Sequence, residues 1–213
     1  VSSGGGKAAG RRAMGRPRVT TPAALERLAF ELFARKGFDE TTVDDIAAAA
    51  GIGRRTFFRY FASKNGIVWG DFDGRLRWLR DLFAEAGPDV PVMDAVRRAV
   101  VEFNRFDPRE VPWHRQRMQY ILGVPTLQAD ATLRYASWRA VVTEFVAART
   151  GLPASAMVPR LAGHVTLAAA VSAYEQWLAG EDETALSDLL DEAIRHVAAG
   201  LAPVLDGVAA TAP

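Results

Sequence analysis

A chain of 213 residues, 49% apolar and 24% charged, has material for a substantial core, and the absence of cysteine excludes disulfides, thiolate zinc sites and cysteine nucleophiles together. The net charge of +1 conceals a division: residues 1–70 hold 12 Lys and Arg against 6 Asp and Glu, whereas residues 71–213 hold 14 against 19. A basic first third suited to a polyanion thus precedes an acidic remainder.

Residues 1–20 are rich in Gly, Ser and Ala, carry Lys7, Arg11, Arg12, Arg16 and Arg18, and contain no acid. This composition predicts a disordered basic arm. No apolar leader core opens the chain, and no run approaches the ~18 uninterrupted apolar residues of a membrane span. The expectation is a cytoplasmic protein with no membrane partner.

From Thr21 onward the apolar period is helical and no strand-like alternation is found, so the fold class predicted is all-α with about nine helices. The first helix opens with Thr21 as N-cap and Pro22 behind it, places Leu25, Leu28, Ala29, Leu32 and Phe33 on one face, and ends at Gly37. The second is capped by Thr42, has Asp44 and Asp45 in its first turn, turns Val43, Ile46, Ala47 and Ala50 inward, and closes at Gly51. After Ile52-Gly53 a third runs from Arg54 to Phe61. Ser63 caps a long fourth, with Ile67, Phe72, Leu76, Leu79 and Phe83 as its buried stripe and Asp71/Arg75 and Asp73/Arg77 as ion pairs outside. Beyond Gly87-Pro88 come five more, at about 91–106, 109–123, 125–150, 154–179 and 184–200. The small-residue runs in the last two suit either a dimer interface or close packing within the chain.

Two short helices joined through Gly51-Ile52-Gly53 have the spacing of a helix-turn-helix. On the third helix, Phe57, Phe58 and Phe61 cluster within about 100° and are predicted to be buried, while Arg55, Thr56, Arg59 and Tyr60 fan over the opposite side. Guanidinium, hydroxyl and phenol groups suit base edges and phosphates in a major groove. Lys64, at the positive end of the fourth helix dipole, is placed for a phosphate. The division expected is an arm at 1–20, a DNA-binding domain at 21–66 and a ligand-binding and dimerisation domain at 67–213.

The stretch Thr42-Val-Asp-Asp-Ile-Ala-Ala-Ala-Ala-Gly-Ile-Gly-Arg-Arg-Thr-Phe-Phe-Arg-Tyr-Phe-Ala-Ser-Lys resembles the DNA-binding signature of the tetracycline-repressor (TetR) family. Gly70-Asp-Phe-Asp, Val101-Glu-Phe-Asn-Arg-Phe and Thr132-Leu-Arg-Tyr-Ala-Ser-Trp-Arg resemble regulators found beside mycofactocin biosynthesis genes in actinobacteria. The resemblance implies a homodimer built on the last two long helices, a ligand pocket in the C-terminal body, and recognition of operator DNA through Thr42, Arg54, Arg55, Thr56, Arg59, Tyr60 and Lys64. This chain departs from the pattern at Gly53, where Ser or Thr is usual, at Arg55 in place of Gly, and at Phe58 in place of a frequent Tyr.

In the acidic remainder Phe103, Phe106, Trp113, Met118, Tyr135, Trp138 and Tyr174 either line an apolar cavity or pack a helical core, and His164 either hydrogen-bonds a ligand or is a satisfied core histidine. An apolar effector suits such a cavity, and the family resemblance implies one of acyl type. His114, His164 and His196 have no metal spacing, and no Walker loop, nucleophile elbow or dinucleotide fingerprint is present. No enzymatic activity, metal or cofactor is expected. The reading is a ligand-responsive transcriptional repressor binding a palindromic operator, set against a helical adaptor that engages a protein or lipid partner without sequence-specific DNA binding.

Overall fold

The computed structural model describes residues 21–180 and 185–209, so the arm predicted at 1–20 lies outside the described residues. These form helices and no strand, in the order α1 (Pro22–Lys36), α2 (Val43–Ala50), α3 (Arg54–Tyr60), α4 (Lys64–Trp69), α5 (Phe72–Ala84), α6 (Val92–Phe103), α7 (Val111–Gly123), α8 (Pro125–Thr150), α9 (Met157–Ala179) and α10 (Leu186–Ala209). They divide into two compact units that part between Ile67 and Val68.

In the first unit, local capping fixes the helix starts. The Thr21 hydroxyl accepts from the Ala24 amide at 3.2 Å, with Pro22 in the first turn. Leu25, Leu28, Ala29, Phe30 and Phe33 are buried, while Leu32, expected on this face, is half-buried. At α2 the Thr42 hydroxyl accepts from the Asp45 amide at 3.1 Å and the Asp45 carboxylate accepts from the Thr42 amide at 2.9 Å, a reciprocal box with Asp in the usual Glu position. Gly51 then takes the left-handed conformation, φ 68°, and the Ile52 amide returns to the Ala47 carbonyl at 3.0 Å. After this turn α3 packs against α2, and Phe57, Ile46, Ala47 and Ala50 are all buried within the unit.

The second unit corrects the sequence reading at its start. The long fourth helix breaks into α4 and α5 at Gly70, which has φ 57°, and the chain restarts at Asp71, whose carboxylate accepts from the Gly74 amide at 2.9 Å. Asp71 is therefore a cap and not the partner of Arg75, which turns inward to the Phe103 carbonyl. Asp73 and Arg77 form no ion pair among the described residues. Leu79, Val96, Val100, Val142, Val146 and Ile194 centre a core shared by α5, α6, α8 and α10, to which α9 adds Ala162 and Ala169. The Arg149 guanidinium donates to the carbonyls of Gly87 and Pro88 at 3.2 and 2.7 Å, fastening the loop before α6 to the end of α8. The last helix outruns its predicted end at 200: it passes Pro203, and Leu205, 1% exposed, anchors the extension in the core.

Candidate nucleic-acid interface and ligand core

α3 has only seven residues, so its position depends on packing rather than propensity. Phe57 is fully buried and Phe61 is buried at the C-cap, their ring centroids 6.1 Å apart. Burying such a ring stabilises by about 1.5–3 kcal/mol. Phe58, expected with them, is 45% exposed: it stands edge-on to Phe57 and under the Arg54 guanidinium, 5.6 Å from it. The extended backbone at Phe61, φ −136°, moves that ring off the helical wheel, leaving Phe57 alone to define the inward direction.

The outward side carries Arg54, Arg55 and Arg59, all exposed, with Thr56 and Tyr60 half-buried at its edges. Arg54 pairs with Asp44 at 3.0 Å, whereas Arg55 and Arg59 have no ionic partner among the described residues. The Thr42 hydroxyl, read from sequence as a DNA contact, both accepts within the capping box and donates to Asp45 at 2.8 Å, so its proton is committed. The Lys36 ammonium joins the same carboxylate at 2.7 Å, and that contact with the Thr42 bonds holds Asp45 well below the ordinary carboxylate range. Lys64 does stand first in α4, but its ammonium donates to the carbonyls of Phe38 and Asp39 at 2.7 and 3.2 Å and lies 4.3 Å from the Phe38 ring centroid. Partial burial shifts its pKa down.

Within the second unit a polar chain runs through aromatic surroundings. Asn104 donates to the Val100 carbonyl at 2.7 Å, leaving its amide oxygen to accept from the Tyr174 hydroxyl at 2.6 Å. With that proton spent, the 2.7 Å contact between Tyr174 Oη and His114 Nε2 requires the imidazole to donate. Burial and, second, the charge of Arg75 bring His114 down to about 3, so the donor is the neutral imidazole with its proton on Nε2. Phe106 stacks on the imidazole, centroids 3.8 Å apart. The Arg75 guanidinium lies 4.4 to 5.0 Å from the ring centroids of Trp78, Phe103 and Phe106.

Residues 27–68 match the bacterial regulatory proteins of the tetR family, and residues 90–202 match the MftR C-terminal domain. The chain is 46% identical over 188 residues, 88% of its own length and 94% of the relative's, to a protein of Mycobacterium tuberculosis H37Rv named as a mycofactocin biosynthesis transcriptional regulator, MftR. The chain belongs to the tetR family. Solved members share the fold at lower identity. FadR of Thermus thermophilus is 19% identical, with a TM-score of 0.54, covering 85% of this chain and 95% of that one. A tetR-family transcriptional regulator from Streptomyces coelicolor is 20% identical, with a TM-score of 0.51, covering 90% and 89%.

In this tetR-family chain the structure brings together only part of the ligand set read from sequence. Phe103, Phe106 and Tyr174 surround Arg75 and His114. Tyr135 packs edge-on to Trp69 at 6.2 Å, with its hydroxyl buried. Trp138 is in the main core, Met118 packs beside Tyr174 and Trp177, and Trp113 is half-buried on α7. His164 is a correction: it is exposed on α9 and turns Nδ1 to the Arg160 carbonyl at 2.8 Å, outside the aromatic interior. A cleft of ≈ 490 Å³ beside α6, lined by Leu82, Glu85, Arg97, Arg98, Glu102 and Asp191 among others, includes none of the eight residues. Sequence reasoning missed Arg75, Asn104, His114 and Trp69. The signal for Arg75 was present, since position 75 falls between Phe72, Leu76 and Leu79 on the buried side of a 3.6-residue period.

Proposed function

We propose that this tetR-family chain is a cytoplasmic homodimeric repressor without enzymatic activity, which docks two copies of α3 in successive major grooves of a palindromic operator and is released by an apolar, acyl-type effector. The observation that carries the reading is the pair of exposed guanidiniums, Arg55 and Arg59, without ionic partners among the described residues, on a helix pinned by the buried Phe57. Phe58 adds an exposed ring suited to a thymine methyl group, and Thr56 and Tyr60 flank the same side. Thr42 and Lys64 position this surface from behind, with one Lys64 N–H left over for a phosphate.

Dimerisation through the last two helices is supported by α9, where Met157, Leu161 and Ala168 lie exposed along the same face as His164. The effector class is supported by the aromatic interior of the second unit and by FadR, which was solved in complex with lauroyl-CoA. Control of mycofactocin biosynthesis is carried over from the name of the M. tuberculosis relative. The adaptor reading accounts for neither of the outward arginines.

The test is binding of the duplex upstream of the chain's own gene against a scrambled duplex across a salt series, with and without lauroyl-CoA. Sequence preference, a log K falling by roughly 0.9 per phosphate contacted for each unit of log salt, and release by the thioester are expected. Equal binding of both duplexes would leave the adaptor.

A further inference from the structure

Arg75 is a half-buried cation with no carboxylate at ion-pair distance among the described residues. Glu110 is the acid that acts on it, from beyond that range. A guanidinium carries five N–H donors. One of them reaches the Phe103 carbonyl; the others meet aromatic faces rather than oxygens among the described residues. Aromatic faces attract the charge but accept hydrogen bonds weakly, so donor capacity remains in excess.

The surroundings add to that excess. The Tyr135 hydroxyl is buried with no protein partner, and so is Trp69 Nε1 on the ring that packs against it. Tyr135 stands within electrostatic reach of Tyr174, and Tyr174 is already saturated: it donates to Asn104 and receives from His114. Asn104 closes the chain on Val100. In the His114–Tyr174–Asn104 chain, the acceptors left are the lone pair of His114 Nδ1 and the second lone pair of Asn104 Oδ1. An unpaired buried donor costs about 1–3 kcal/mol, so the Tyr135 hydroxyl and Trp69 Nε1, on rings that pack together, are costly unless an acceptor joins them.

We infer that Arg75, with the Tyr135 hydroxyl and Trp69 Nε1, binds the oxyanion of an effector whose apolar body lies among the aromatic side chains. The inference deepens the sensing part of the proposed function and rests on it for the apolar body. The ligand class is an amphiphile carrying a carboxylate or a phosphate, to which a guanidinium offers paired donors.

The full chain is titrated calorimetrically with laurate, dodecyl phosphate and 1-dodecanol, which share one alkyl chain. At least one oxyanion probe is expected to bind about tenfold or more tightly than the alcohol. Laurate alone marks a carboxylate site and dodecyl phosphate alone a phosphate site. Arg75→Gln brings the three affinities within about threefold, and Arg75→Lys keeps most of the preference. Tyr135→Phe weakens the oxyanions severalfold and leaves dodecanol unchanged. No preference in the unmodified chain, no binding of any probe, or a preference that survives in folded Arg75→Gln overturns the inference. If Arg75→Gln does not fold, the preference of the unmodified chain and its response to Tyr135→Phe decide. Operator binding measured alongside separates the two readings: an intact preference with no change in operator affinity removes the sensing role and leaves the site, while sound operator binding without the preference does the reverse.

Discussion

The Lys64 ammonium donates to the Phe38 carbonyl at 2.7 Å and caps the same residue's ring at 4.3 Å, so the first residue of α4 is tied to the loop between α1 and α2. A second bond to Asp39 uses another of its three donors. A lysine that sequence places at a phosphate is therefore first a brace of the reading head.

Lys64→Ala is expected to lower stability by about 1–3 kcal/mol through the loss of charge-assisted bonds. Thermal unfolding should show it directly. The salt slope of operator binding should fall by no more than about 0.9, the one phosphate that the remaining N–H can reach. An unaltered melting temperature would mean that Lys64 does not brace this loop.

Arg55 and Arg59 should behave in the opposite manner. Each is exposed with no ionic partner among the described residues, so Arg55→Ala and Arg59→Ala are expected to leave the melting temperature unchanged. Operator affinity should fall by about 1–3 kcal/mol wherever the guanidinium reads a base, with reduced discrimination against a scrambled duplex. Fluorescence anisotropy on the two duplexes makes the comparison.

Asp44 holds the Arg54 guanidinium that the proposed function offers to DNA. Their 3.0 Å contact is between well-exposed groups, which makes it weak and easily screened. Asp44→Asn should release Arg54 to a phosphate and remove a negative charge from the same surface. Affinity for any duplex should rise severalfold at low salt, with the slope steepened by about 0.9. Unchanged binding would show that Arg54 points away from the DNA.

The all-helical class and the turn through Gly51-Ile52-Gly53 were legible because caps, glycine stops and apolar period all agree there. Where sequence misled, two signals conflicted. Arg75 has an acid four residues before it and also sits on the buried stripe; the spacing points to a surface ion pair, and burial decides against it. An ideal wheel groups Phe58 with Phe57 and Phe61, yet α3 ends before Phe61, and Phe58 is exposed. The chain His114–Tyr174–Asn104 joins residues 60 to 70 positions apart. No local period reports such a contact, and only packing of α6, α7 and α9 creates it.

His114 gives the second unit an acid-sensitive stability. An unfolded histidine takes up its proton near pH 6.5, whereas in the fold burial, helped by Arg75, holds it to about 3. Between those values the unfolded chain binds a proton that the folded chain does not. Stability is thus complete above pH 6.5 and declines as pH falls, by at most about 1.4 kcal/mol per unit. Urea unfolding at pH 7, 6 and 5 should show a steeper decline for the unmodified chain than for His114→Gln, which keeps a donor for Tyr174 but does not titrate. Parallel declines would mean that the imidazole is not held neutral.

Gly163 sets the closeness of α8 and α9. A Cβ there would lie 2.5 Å from Thr143 Oγ1 and 2.9 Å from the Arg139 carbonyl oxygen, both well inside van der Waals distance. The hydroxyl can rotate away, but the carbonyl belongs to the α8 backbone and moves only with the helix. Gly163→Ala is therefore expected to destabilise by about 1–3 kcal/mol in spite of alanine's better helix propensity. Adding Thr143→Ala removes the side-chain clash alone and should recover part of the loss, never the whole. Urea midpoints for the two single variants and the double variant, at constant m-value, measure the partition. Full recovery would mean that the backbones are not in contact and that the small residue is there for another reason.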